Sequence, residues 1–118
     1  MTGPVTTLGH MMVPKEGVTD IGLCLGDENW ETYFDSVPVE RRAWHQLDDA
    51  GVLDEFQRIA DGILGEHEEA WFRHPDRLAA LCQEAQSRVP GEARALLGEI
   101  IALAQIAQSR GSVVVFAA

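Results

Sequence analysis

From Glu92 to Ser109 the chain reads EARALLGEIIALAQIAQS, and this stretch restricts the fold more than any other. Ala93, Leu96, Leu97, Ile100, Ile101, Leu103, Ala104 and Ala107 recur at helical spacing, yet they spread over more than one face. A surface helix carries a single apolar stripe, whereas one greasy around so much of its circumference belongs at the centre of a domain. Gly111 ends the helix, and SVVVF follows, a β-branched run typical of a strand buried on both faces.

The segments upstream supply what surrounds that centre. PDRLAALCQEAQSR opens with proline in a first helical turn, places Leu78, Leu81, Cys82 and Ala85 inward, and stops at VPG. A helix from about Leu53 carries Phe56, Ile59, Ala60, Ile63 and Leu64, with Gly62 and Gly65 weakening its far end. Before it, Pro38 fits the first turn of a helix whose stripe is Ala43, Trp44 and Leu47, stopped by Gly51. Asp27 can cap a short acidic helix, ENWETYFD. In VTDIGLCLG, Ile21, Leu23 and Leu25 alternate with Gly22 and Cys24, which predicts a strand over 18–26. The first 17 residues are broken by glycine and proline and read as irregular, with a short strand around VTTL or HMMV.

Strand, several helices, strand is an α+β order. The expectation is a single domain over residues 1–118 with about five helices. These would pack on a small sheet of two or three short strands formed by the N- and C-terminal segments. An all-helical fold is the alternative. A two-stranded ribbon is marginal alone, so residues 4–13 or a partner chain would supply the third strand.

HEEAWFRHP, residues 67–75, gathers two histidines and two glutamates and is tested as a metal site. On one helix His67 and His74 would stand about 10 Å apart along the axis, too far to share a zinc held at about 2 Å. Position 71, where a zincin helix needs its second histidine, is Trp71, and Pro75 sets a helix boundary at His74. The stretch therefore reads as structure, with His67 partly buried on the stripe of Phe56, Ala60 and Ile63. DENWETYFDSVP opens like a calcium loop at Asp27, Asn29 and Glu31. It fails at Thr32, where glycine is needed, and at Pro38, where a glutamate is needed. No GxSxG, CxxC or phosphate loop is present, and Cys24 beside Asp27 lacks the basic neighbours that activate a thiol. No cofactor, metal or catalytic group is expected from these residues.

Charge is the strongest compositional signal. The net charge is −10, and residues 20–69 hold 14 of the 19 acids against three arginines, a local −11. Such a field repels nucleic acid and anionic membrane and steers towards basic proteins. Seven of the eight aromatics also fall between residues 30 and 72. DENWETYFD is too polar and short to be held by burying all of them, so some are expected at the surface as interface anchors. With no leader-like start and no long apolar run, a cytoplasmic location is expected.

These observations favour a small acidic inhibitor, of the immunity, antitoxin or nucleic-acid-mimic type, that occludes a basic protein such as a toxin or nuclease. The candidate binding residues are Asp27, Glu28, Trp30, Glu31, Tyr33, Asp35, Asp48 and Asp49. The alternative is a small ligand-binding or catalytic domain with a pocket near the end of the 18–26 strand, lined by Trp30, Trp44 or His67. As a monomer or homodimer, the chain could also pair through its VVVFAA edge with a second copy.

Overall fold

A five-stranded antiparallel sheet runs through the protein, which is described over residues 7–118 of a computed structural model. The strands are β1 (Thr7–Pro14), β2 (Phe34–Glu40), β3 (Asp61–Gly62), β4 (Glu69–Phe72) and β5 (Val114–Ala117). Their spatial order is β2-β1-β5-β4-β3. The sheet is thus larger than the two or three terminal strands that the sequence suggests, because three of its strands, β2, β3 and β4, come from the middle of the chain. HMMV lies in β1 as expected, while part of VTTL lies outside the described residues.

Five helices complete the chain: α1 (Ile21–Leu25), α2 (Arg41–Asp49), α3 (Val52–Ile59), α4 (Pro75–Ala85) and α5 (Gly91–Arg110). Single 3-10 turns stand at Trp30–Tyr33 and Gln86–Arg88. α4 begins on Pro75 and α5 ends on Gly111 at φ 62, where the left-handed backbone suits glycine.

Strand alternation sorts the core into two layers. Met11, Val13, Val39, Ala70, Phe72, Val114 and Phe116 face α2–α5 and form the larger cluster with Leu47, Phe56, Leu78, Leu97 and Ile100. Met12, Phe34 and Val115 face the other way and are covered by α1 and the 3-10 turn, through Ile21, Cys24, Leu25, Trp30 and Tyr33. α5 buries Ala93, Leu96, Leu97, Ile100, Leu103, Ala104 and Ala107, so its wide apolar circumference does mark the centre. A shift in the β1–β2 register between Thr7 and Gly9 turns Leu8 to the helical side. At Gly9 a Cβ would lie 2.6 Å from the Ala117 carbonyl, so only glycine admits this approach of β5.

Several local expectations are corrected. VTDIGLCLG is not a strand: Asp20 accepts from the Leu23 amide at 3.1 Å and starts α1 instead. The acidic helix at 28–35 is a single 3-10 turn running into β2, and Pro38 sits in that edge strand, where a missing N–H costs no ladder bond. α3 stops at Ile59, and the chain turns through His67, at φ 63, into β4. Glu69–Phe72, inside HEEAWFRHP, is therefore a strand, and His67 is exposed in a turn and not part of an apolar stripe. The VVVFAA edge is also unavailable to a second copy, because β5 is already paired with β1 and β4 on its two sides.

Candidate functional site

α1 and the 3-10 turn form a short strap across the sheet face opposite the helical layer. The Asp27 carboxylate accepts from the Asn29 amide at 2.8 Å, and the Trp30 amide donates to the Asp27 carbonyl at 3.1 Å. The Thr32 hydroxyl closes the turn on the Asn29 carbonyl at 2.8 Å, and the Lys15 amide anchors its end on the Tyr33 carbonyl at 2.9 Å. These bonds hold the Trp30 ring against His10 of β1, with centroids 4.8 Å apart and planes inclined at 60°.

A cavity of about 240 Å³ opens beside this ring pair, lined by His10, Met12, Leu25, Trp30, Ala117 and Ala118. Trp30 is half-buried, and the His10 side chain has no hydrogen-bond partner among the described residues. Asp20, Glu28 and Glu31 project to solvent from the same strap, and Asp27 is half-buried. No lysine, arginine or histidine of the described residues lies within ion-pairing reach of these four carboxylates. On the outer side of α1, Leu23 is 74% exposed, which is unusual for a leucine.

The expected binding residues do not form one surface. Asp27, Glu28, Trp30, Glu31 and Tyr33 lie together on the strap. Tyr33 is half-buried and packs on Met12, Phe34 and Val115. Asp35 belongs to β2 and is held 2.8 Å from Arg110. Asp48 and Asp49 are exposed at the end of α2, in the helical layer on the far side of the sheet. His10 and Leu23 are not among the expected binding residues: His10 meets Trp30 only through sheet formation, and Leu23 lies in a segment whose alternation reads as a strand.

Two other places on the surface gather polar groups. The groove between α2 and α5 encloses about 790 Å³, and part of its polar lining serves the fold: Arg41 pairs with Glu66, Arg42 with Glu92 at 3.6 Å, and Gln46 accepts from the Ala93 amide at 3.0 Å. On β4, the Arg73 guanidinium sits 5.2 Å over the Trp71 ring and 2.8 Å from Asp61, while the Trp71 indole N–H donates to Glu69. Trp44, expected near a pocket, stacks instead on Phe116 with centroids 5.1 Å apart. Among the described residues, no three histidine, cysteine or carboxylate side chains converge on a metal position. Among the described residues, no helix is long and apolar enough to cross a membrane. Comparison with protein-family models, with curated proteins and with solved structures finds no match.

Proposed function

We propose that this chain is a small acidic inhibitor whose strap surface, residues 20–33, binds and occludes a basic partner protein. The carrying observation is the combination of an exposed Leu23 and a half-exposed Trp30 among Asp20, Asp27, Glu28 and Glu31, none of them ion-paired. Elsewhere the carboxylates of Asp35, Glu55, Asp61, Glu66, Glu84 and Glu92 are each matched to an arginine, while other unpaired acids such as Asp48, Asp49 and Asp54 lie on the helical layer without an exposed aromatic beside them. Unmatched charge around apolar anchors suits an interface: the carboxylates speed and orient encounter, and burial of Leu23 and Trp30 slows dissociation. Immunity proteins, antitoxins and nucleic-acid mimics share this logic of blocking a basic surface without chemistry.

The test is capture of a basic protein from the native host on immobilised chain, washed at graded salt. Retention that falls steeply with salt, and is lost in a Glu28→Lys/Glu31→Lys variant, supports the reading. Retention indifferent to both contradicts it. A second reading, a small ligand-binding or catalytic domain, draws on the cavity at Leu25 and Trp30, which lies in the expected region although the segment is helical. At about 240 Å³ it falls below the roughly 300 Å³ at which sites for drug-sized ligands begin, and His10 is its one titratable side chain.

A further inference from the structure

The protein already shows what one of its tryptophans does with a cation. Trp71 carries the Arg73 guanidinium over its ring, with Asp61 fixing the charge from the side. Trp30 stands in a more acidic stretch and carries no cation of the described residues. Its ring is nevertheless held in place by the backbone bonds of the turn and by contact with His10, and it borders the cavity.

The cavity walls sort the candidate occupants. With the rings of His10 and Trp30 centred 4.8 Å apart, nothing enters between them, so an occupant lies in the remaining space bounded by Met12, Leu25 and Ala117. Met12 and Leu25 suit an aliphatic stem. The indole suits a flat, weakly hydrated cation, which stacks on it at modest desolvation cost. The His10 imidazole lines the same space, and Asp27, Glu28 and Glu31 stand on the strap within three residues of Trp30. An ammonium is compact and strongly hydrated, and gains less from such a wall.

We propose that the cavity beside His10 and Trp30 seats a single arginine side chain of the partner, its guanidinium stacked on the Trp30 indole. This rests on the acidic-inhibitor reading and makes it specific: the partner presents arginine, not merely positive charge, to this point of the strap. The Trp71–Arg73 pair is the internal precedent for the contact.

The experiment follows the indole N–H and histidine ring signals of the intact protein by NMR. N-acetyl-arginine N-methylamide, its lysine counterpart and deca-lysine are titrated separately. The arginine amide is expected to shift the Trp30 and His10 signals saturably, with a midpoint at least threefold below that of the lysine amide. Trp30→Leu is expected to abolish this difference, and His10→Gln to narrow it with Trp30 left in place. Equal midpoints, or shifts centred on Trp71 or on α2, would overturn the arginine seat. If deca-lysine still binds in that case and dissociates at high salt, the acidic-inhibitor reading stands without it. Failure of all three probes would remove both.

Discussion

Arg110 closes the sheet edge onto the central helix through Asp35: its guanidinium lies 2.8 Å from that carboxylate and 2.9 Å from the Pro14 carbonyl. One side chain at the end of α5 thereby ties down both β1 and β2. Asp35, expected from the acidic run as an interface residue, thus also has a structural partner. Its side chain is 38% exposed, so solvent screening limits the pair, and Arg110→Ala is expected to lower stability by about 1 kcal/mol in urea unfolding. Asp35→Asn should destabilise similarly and leave binding of deca-lysine unchanged at about 0.15 M salt.

The two cysteines should differ sharply in reactivity. Cys82 is buried in the helical layer, and burial pushes its thiol up to about 12, from 9.0. Cys24 is half-buried under the strap, on the other face of the sheet. A thiol reagent at pH 8 is expected to label one cysteine rapidly in the native protein and both in denaturant.

The Cys82 shift also fixes a sign for alkaline stability. A raised folded-state value favours the folded protein fully below the unfolded value and withdraws that support as pH rises above it. The loss begins near pH 9 and continues towards about 12. By pH 10 this one group should remove on the order of 1 kcal/mol. Cys82→Ala is expected to be less stable at neutral pH and to show a flatter decline over that window.

Two glycines should respond to alanine with opposite signs. Gly62 in β3 adopts φ +106, and a Cβ there would fall 2.4 Å from the Glu69 carbonyl oxygen. Gly62→Ala must strain the β3–β4 hairpin, and a loss of about 2 kcal/mol or more is expected. Gly91 opens α5 with nothing within 4 Å of an added Cβ. Gly91→Ala should raise stability by up to about 1 kcal/mol, because alanine loses less backbone entropy in a helix. Thermal unfolding of the two variants checks both signs.

The last two helices are written locally in the sequence, and the middle strands are not. α4 and α5 have unbroken 3.6-residue periodicity, a proline at one start and a glycine at one end, so their own residues determine them. β4 is four residues long and continues the apolar spacing of α3 closely enough to look helical. What makes it a strand is pairing with β5, more than forty residues away along the chain. β2 is similarly set by β1, and its Pro38 reads as a helix start to any local rule. The candidate site divides the same way. The acids and Trp30 of the strap are visible as composition, but the partners that decide their roles, Arg110 for Asp35 and His10 for Trp30, arrive through the tertiary fold.

Placement on opposite sides of the sheet gives the acidic patches separable effects on binding. Glu28 and Glu31 flank Trp30, whereas Asp48 and Asp49 lie at the end of α2, and all four are exposed. At low salt the Debye length of about 30 Å at 0.01 M lets every carboxylate attract a basic ligand, so reversing either pair weakens deca-lysine binding. At 0.15 M the screening length falls to about 8 Å, and only charges beside the seated ligand still count. Glu28→Lys/Glu31→Lys is then expected to weaken binding by about tenfold, near 1.4 kcal/mol, and Asp48→Lys/Asp49→Lys by less than about twofold. Titration calorimetry at the two salt concentrations separates the cases. An equal loss for both pairs at 0.15 M would mean that the ligand responds to overall charge, and that the strap is not where it binds.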